Sequence, residues 1–158
     1  TATMQELVHK LLTERGLTLA TAESCTGGSI AARFTAMPGA SAYFLCGVVS
    51  YSNASKHDIL GVAPEVIARH GAVSEEVARR MAEGARRISG ADCAIATTGI
   101  AGPAGGSAEK PVGTVWIAVA TSHRTTAILK QCGSDRGQII DRASAFAISL
   151  LRDELNGK

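Results

Sequence analysis

Aromatic residues are scarce in this sequence of 158 residues: one Trp, two Tyr and three Phe make up 4% of the chain. The chain therefore lacks the stacking side chains on which binders of single-stranded nucleic acids rely. Sixteen basic and fourteen acidic residues leave a net charge of +2, and the basic residues are scattered rather than gathered in one stripe. Because nucleic-acid binding needs concentrated positive charge, we expect no nucleic-acid partner.

Long apolar runs and targeting signals are missing as well. The longest apolar stretches, such as residues 115–120, have the length of a strand, whereas a membrane span needs roughly 20 apolar residues. The first residues contain no basic segment followed by an apolar one, so no secretory leader is recognised. We therefore expect a soluble, cytoplasmic protein without a membrane partner.

Cysteine and histidine, with four residues each, are too dispersed to form a recognisable metal site. The residues concerned are Cys25, Cys46, Cys93, Cys132, His9, His57, His70 and His123. No Cys-x-x-Cys pair occurs among them, and the histidines do not have the spacing of metal ligands. We expect buried free thiols, no metal and no cofactor.

The apolar patterns predict one domain over residues 1–158, since a chain of this length with 46% hydrophobic residues can bury a continuous core. Strand-like runs cover residues 17–22, 43–51, 91–98, 113–121 and 125–132, with helical patterns between and around them. The last two runs are joined by three residues and predict a hairpin. The fold class is therefore α/β: a three-layer α/β/α sandwich on a mixed, mostly parallel sheet of about five strands with a late β-hairpin.

Three segments of unusual composition follow strand-like runs, where ligands of open α/β sheets bind. The first, residues 21–29, carries Ser24 in a glycine-containing turn before a helix. Ser24 is a candidate nucleophile, because backbone N–H groups of such a turn can hold an oxyanion. The residues alone favour the alternative that Ser24 or Thr26 only caps the helix.

The second segment, residues 50–56, carries the phenol of Tyr51 and the amine of Lys56. A serine nucleophile needs a base, and a lysine that burial keeps neutral is the available candidate. A solvated lysine on a short helix is the alternative.

The third segment, residues 97–110, is the most glycine-rich part of the chain and ends in Lys110. Such a loop can close around a phosphate or a sugar, with the lysine neutralising charge. It matches neither the Walker pattern nor the dinucleotide-binding glycine pattern. A surface loop without a ligand is therefore an equal alternative.

The order of these motifs resembles the C-terminal domain family of the competence- and damage-inducible protein CinA, which includes stand-alone nicotinamide mononucleotide (NMN) deamidases. The resemblance covers nearly the whole chain. It rests on Thr21-Ala22-Glu23-Ser24-Cys25-Thr26-Gly27-Gly28, Tyr51-Ser52-Asn53 with Lys56, Gly71-Ala72-Val73-Ser74, Gly99-Ile100-Ala101-Gly102-Pro103 with Gly105-Gly106, Lys110-Pro111-Val112-Gly113-Thr114-Val115, and Asp135-Arg136. It implies metal-independent hydrolysis of the NMN carboxamide to nicotinate mononucleotide and ammonia, in pyridine-nucleotide salvage.

The resemblance also implies residue roles: Ser24 is the nucleophile, and Lys56 and Tyr51 transfer protons. We expect the phosphate to contact the glycine-rich loop and a basic residue, with Lys110 ahead of Arg136. The expected substrate contacts are Glu23, Thr26, Gly27, Gly28, Thr98, Gly99, Gly102, Gly105, Gly106, Ser107, Lys110 and Arg136. The nucleotide substrate is the expected small-molecule partner, and a homodimer is the default assembly.

The chain departs from the family pattern at three positions. Thr98 stands where Ser is common, Ala104 where a polar residue is frequent, and Ser134 where Gly often precedes Asp-Arg. Full-length relatives also carry an N-terminal domain similar to molybdopterin-binding proteins, which this sequence lacks. The resemblance is therefore to the stand-alone type.

Two rival interpretations stay open. In the first, Cys25 is the nucleophile of the amidase, with Glu23 and Lys56 as its partners. In the second, the domain is a non-catalytic nucleotide-binding or protein-interaction module. An activated serine beside Tyr51 and Lys56 argues against the second interpretation, since a binding module has no need of one.

Overall fold

The helices and strands follow the periodicities of the sequence. The computed structural model describes residues 2–157; Thr1 and Lys158, the ends of the predicted domain, lie outside them. The helices are α1 (Met4–Arg15), α2 (Ser29–Thr35), α3 (Asn53–Asp58), α4 (Pro64–His70), α5 (Glu75–Ser89) and α6 (Arg136–Leu155). The strands are β1 (Leu19–Glu23), β2 (Phe44–Val49), β3 (Cys93–Gly99), β4 (Thr114–Ala120) and β5 (Thr125–Gln131). No helix within the described residues combines the length and the apolar character that crossing a membrane requires.

The five strands form one mixed sheet in the order β2-β1-β3-β4-β5. β1 pairs in parallel with β2 and with β3, while β3–β4 and β4–β5 pair antiparallel. Four strands therefore point in one direction and β4 opposes them. The predicted mixed sheet and its late hairpin are confirmed.

The sheet separates two cores of different composition. On the side of α1, α2 and α6 the buried side chains are large, and they include Leu12, Leu19, Ile30, Phe34, Ile95, Ile117, Ile139 and Leu151. On the side of α5 the strands present alanines: Ala20, Ala22, Ala94, Ala96, Ala118 and Ala120. These small residues let α5 lie close to the sheet. Gly84 of α5 lies equally close to the segment after α3, because a Cβ added there would collide with the Leu60 carbonyl oxygen. Helices on both faces confirm the predicted three layers.

The strand order brings the candidate segments together. β1 lies between β2 and β3, and the three run in parallel. Their carboxyl ends therefore meet at one edge of the sheet. The turn after β1, the β2–α3 connection and the loop after β3 leave the sheet side by side at this edge.

Candidate active site

The turn that carries Ser24 links the end of β1 to the start of α2. The Ser24 N–H donates to the Thr97 carbonyl at 3.1 Å, which ties the turn to β3, and the Ser24 carbonyl accepts from the Gly27 N–H at 3.1 Å. Gly27 and Gly28 have φ of 62° and 103°, in the left-handed region that favours glycine. The glycines thus let the chain reverse tightly after Ser24, whose side chain lines a cleft at the sheet edge.

The carboxylate of Glu23 lies buried beneath this turn. One oxygen accepts from the Thr26 hydroxyl at 2.6 Å and from the Ile30 N–H at 2.9 Å, and the other accepts from the Ala31 N–H at 3.0 Å. The Thr26 hydroxyl is also 2.8 Å from that of Thr97. Glu23 and Thr26 therefore support the turn and the first N–H groups of α2. Their contact with substrate stays a prediction.

Lys56 reaches Ser24 from the short helix α3, which begins where the Ser52 hydroxyl accepts from the Ser55 N–H at 3.1 Å. The Lys56 side chain is buried, at 1% exposure. Its Nζ lies 3.1 Å from Ser24 Oγ, 3.0 Å from the Ser50 carbonyl oxygen and 3.2 Å from that of Tyr51. The structure thus brings together the predicted nucleophile and the predicted base.

No carboxylate pairs with Lys56 among the ion pairs of residues 2–157. Burial without a counter-charge lowers the pKa of the Lys56 amine below its usual 10.5. A neutral amine has two N–H groups and one lone pair. The neutral amine can therefore donate to the two carbonyl oxygens and accept a hydrogen bond from the Ser24 hydroxyl, whereas the ammonium would donate to all three oxygens.

Cys25, the rival nucleophile, follows Ser24 but lies in an apolar environment. It is 5% exposed, and burial raises the pKa of its thiol to about 12. Because only the thiolate is a strong nucleophile, the raised pKa disfavours Cys25 as a nucleophile at neutral pH. Cys25 packs within the core on the α2 and α6 side.

The phenol of Tyr51 is hydrogen-bonded to Arg136 and not to Ser24 or Lys56. Its oxygen accepts from Arg136 Nη2 at 3.0 Å, and the residue is 59% exposed. The contact of Tyr51 with Lys56 comes from its backbone carbonyl instead. Tyr51 thus contacts the amine through its main chain, while its side chain lines the cleft. The role of the phenol in proton transfer stays a prediction.

The cleft at this edge of the sheet has a volume of about 180 Å³. Ser24, Cys25, Tyr51, Asn53, Lys56, Ala72, Val73, Thr98, Gly99 and Ala101 line it. Five of the expected site residues are therefore present: Ser24, Tyr51, Lys56, Thr98 and Gly99. The sequence analysis missed Asn53, Ala72, Val73 and Ala101, although all four lie within motifs on which the family resemblance rests.

The later part of the glycine-rich loop, residues 105–110, lies outside the cleft and is held by hydrogen bonds within the loop. The Ser107 N–H donates to the Lys110 carbonyl at 2.9 Å, and the Ser107 hydroxyl accepts from the Lys110 N–H at 3.0 Å. Gly105 and Gly106 are exposed, and neither lines the cleft. These residues are therefore not brought to the serine–lysine pair.

Two basic residues were expected to hold a phosphate, and the structure separates them. Lys110 donates through Nζ to the His70 carbonyl at 3.0 Å and does not line the cleft, and its contact with a phosphate stays a prediction. Arg136, at the start of α6, donates to the Tyr51 hydroxyl and to the carbonyl of Gly102. Arg136 does not line the cleft either, but its guanidinium contacts Tyr51, which does.

Within residues 2–157 no three His, Cys, Asp or Glu side chains come together in a group able to hold a metal ion. The site places the hydroxyl of Ser24 beside the buried amine of Lys56.

Comparison with known proteins identifies the family. Residues 1–155 match the model of the CinA C-terminal domain. The chain is 48% identical over 155 residues to a putative competence-damage inducible protein of Caldanaerobacter subterraneus subsp. tengcongensis, covering 98% of this chain and 38% of that protein. It is 52% identical over 149 residues to a CinA-like protein of Anaeromyxobacter sp. (strain K), covering 94% of this chain and 36% of that protein. The chain thus spans less than two fifths of the length of these curated relatives.

Solved structures are similar over nearly all of both chains. The competence/damage inducible protein CihA of Agrobacterium tumefaciens superposes with a TM-score of 0.93 at 41% identity, covering 97% of this chain and 93% of that one. A CinA superfamily protein of Enterobacter cloacae superposes with a TM-score of 0.92 at 35% identity, covering 98% and 94%. By sequence and by structure, this chain belongs to the CinA C-terminal domain family.

Proposed function

We propose that this domain hydrolyses the carboxamide of nicotinamide mononucleotide to nicotinate mononucleotide and ammonia. The observation that carries the proposal is the 3.1 Å approach of the buried Lys56 amine to the Ser24 hydroxyl, with no carboxylate paired to the amine among the described residues. A buried lysine without a counter-charge costs stability. A role as a base explains why the lysine is buried in this way, because the amine must be neutral to accept a proton.

The reaction proceeds in two steps. The neutral Lys56 amine takes the proton of the Ser24 hydroxyl while Oγ forms a bond to the amide carbon. The ammonium of Lys56 then returns this proton to the amide nitrogen, the C–N bond breaks and ammonia leaves. Water attacks the resulting ester with Lys56 again as base, which releases the carboxylate and restores Ser24.

The oxyanion of the tetrahedral intermediate needs hydrogen-bond donors near Ser24. The backbone N–H groups of Cys25 and Thr26 follow the nucleophile, and neither donates to a backbone carbonyl within the described part of the chain. Donors that are already in place are available without reorganisation. We assign these two groups to the oxyanion.

The phosphate of the nucleotide is assigned to Arg136. Its guanidinium donates to the Gly102 carbonyl and to the hydroxyl of Tyr51, a residue that lines the cleft. A guanidinium can form two parallel hydrogen bonds to phosphate oxygens. Arg136→Met is expected to reduce kcat/KM for the nucleotide far more than for the riboside. A reduction of the same size for both substrates would show that Arg136 does not hold the phosphate.

The experiment that tests the function is ammonia release from NMN, with nicotinamide and nicotinamide riboside as comparison substrates. We expect turnover of NMN and a loss of orders of magnitude for the riboside, because binding energy from the phosphate helps to position the amide. Ser24→Ala, purified identically, controls for contaminating amidases. Binding of NMN without ammonia release would favour the non-catalytic nucleotide-binding module instead.

A further inference from the structure

The segment between α4 and α5 forms an apolar wall of the cleft. Ala72 and Val73 line the cleft, and we call residues 71–73 the wall. Side chains from β3 and from the glycine-rich loop hold this segment. The Thr98 hydroxyl donates to the Ala72 carbonyl at 2.7 Å, and Lys110 Nζ donates to the His70 carbonyl at 3.0 Å.

A third side chain fixes the carbonyl between these two. The Ser74 hydroxyl donates to the Gly71 carbonyl at 2.8 Å, while the same hydroxyl oxygen accepts from the Val77 N–H at 3.3 Å and so begins α5. Three consecutive carbonyls, those of residues 70–72, are thus each held by a different side chain. A connection with this many side-chain bonds is built to keep one conformation.

Lys110 lies at the C-terminal end of α4, where a cation is favoured by the helix dipole and by the free carbonyls of the last turn. His70 is the last residue of α4. Gly71 has a φ of 82°, and a Cβ added there would lie 3.1 Å from Lys110 Nζ. Glycine at this position therefore meets both the backbone requirement and the need for room beside the ammonium.

We propose that Lys110 and Thr98 are positioning residues, which hold the wall against the Ser24–Lys56 pair and keep water from the Lys56 amine. The inference rests on the proposed function and deepens it. In place of the expected contact with a phosphate, Lys110 holds the His70 carbonyl and acts on Lys56 through the wall.

The surroundings of Lys56 explain why the wall matters. The titratable residues that line the cleft with Lys56 are Cys25, on the turn after β1, and Tyr51. The wall presents only an alanine and a valine, and no carboxylate pairs with Lys56 in residues 2–157. Burial is the main cause that lowers the pKa of the amine. Water admitted past a loosened wall would raise this pKa toward its usual value.

The test removes each hydrogen bond and measures kcat/KM for NMN against pH. For Thr98→Val and Lys110→Met we expect a loss of about tenfold to a hundredfold at neutral pH. We also expect the acid limb of the profile to move to higher pH. Thr98→Ser keeps a hydroxyl and should restore most of the activity and the original limb. Lys10→Met, which changes a lysine on the exposed face of α1, is the matched control for Lys110→Met.

A binding measurement separates this role from phosphate recognition. In a Ser24→Ala background, Lys110→Met should leave the Kd for NMN unchanged within about twofold, because a positioning residue acts on kcat. Weaker binding of NMN by tenfold or more, with binding of the riboside unchanged, would show that Lys110 holds the phosphate and would overturn the proposal.

Labelling of Ser24 with a fluorophosphonate reagent separates failure of the inference from failure of the proposed function. A wild-type protein that is labelled but releases no ammonia from NMN would refute the substrate, while the labelling rate and its pH dependence would still test the wall. Unchanged labelling and an unchanged pH limb in folded Thr98→Val and Lys110→Met would overturn the inference. Absence of labelling in the wild type would overturn both. If Thr98→Val fails to fold, Lys110→Met decides the result.

Discussion

Two ionisable side chains are buried next to the Ser24 turn, and they differ in their hydrogen-bond partners. Glu23 and Lys56 are each 1% exposed. The carboxylate of Glu23 accepts three hydrogen bonds from the turn and from the first N–H groups of α2. The amine of Lys56 has two carbonyls, one serine hydroxyl and no partner of opposite charge within the described residues. The difference indicates that Glu23 supports the fold, whereas Lys56, which is hydrogen-bonded but has no counter-charge among these residues, is suited to the proposed chemistry.

Removal of the amine is the change with the largest expected effect on activity. Lys56→Met should reduce kcat for NMN by about 10²- to 10⁴-fold, the usual contribution of a general base. The free energy of unfolding should stay the same or rise, because an unbranched apolar side chain replaces a desolvated amine. Ammonia release and urea unfolding measure the two effects, with Lys10→Met as the control on an exposed lysine. A large loss of stability would mean that Lys56 is structural, like Glu23.

Lys56→Arg separates a base from a fixed positive charge. A guanidinium stays protonated at any accessible pH, so this variant should be nearly as inactive as Lys56→Met. Turnover close to that of the wild type would show that Lys56 acts only through its charge.

Removal of the Glu23 carboxylate should reduce stability more than activity, whereas removal of the Lys56 amine should do the reverse. Glu23→Gln replaces one acceptor oxygen by an N–H donor that faces the N–H groups of α2. We expect a loss of about 1–3 kcal/mol in the free energy of unfolding, the usual cost of leaving a buried donor unpaired. The fall in turnover of the folded protein should be smaller than for Lys56→Met. Glu109→Gln, at an exposed loop position, is the matched control. Unchanged stability would contradict the structural role of Glu23.

The smallest expected effect is a pH dependence of stability that belongs to Lys56 alone. In the folded protein the pKa of the amine lies below its usual 10.5, so above that lowered pKa the folded state has released a proton that the unfolded chain still holds. The free energy of unfolding of the wild type should therefore rise relative to Lys56→Met as the pH increases from the lowered pKa toward 10.5. Urea unfolding of both proteins from neutral pH to about pH 10 measures this slope. A constant difference between them would mean that the pKa of Lys56 is not lowered.

The sequence was sufficient to predict the fold and the meeting of Ser24 with Lys56. The alternation of apolar patterns indicates which strand end each motif follows, and adjacent parallel strands bring their carboxyl ends together. The direction of individual side chains was harder to predict. Glu23 and Ser24 are neighbours, yet one points beneath the turn and the other into the cleft, as the alternation along an extended chain requires.

Contacts with distant segments could not be read from local patterns. Lys110 sits next to a glycine-rich loop, which favoured an anion site, but its ammonium is bound to a helix end 40 residues away in sequence. The wall residues Ala72 and Val73 carry no chemistry of their own. Only their position against the cleft gives them a role, and only the tertiary structure shows that position.

The central claim is that Ser24, and not the adjacent Cys25, attacks the amide. The most direct measurement is NMN turnover by Ser24→Ala and Cys25→Ala, prepared and assayed side by side. We expect Ser24→Ala to lose at least about 10³-fold in kcat, and Cys25→Ala to keep most of the wild-type turnover, because burial holds the pKa of the Cys25 thiol at about 12. The reverse result, or more than a few per cent of wild-type turnover in Ser24→Ala, would contradict the claim.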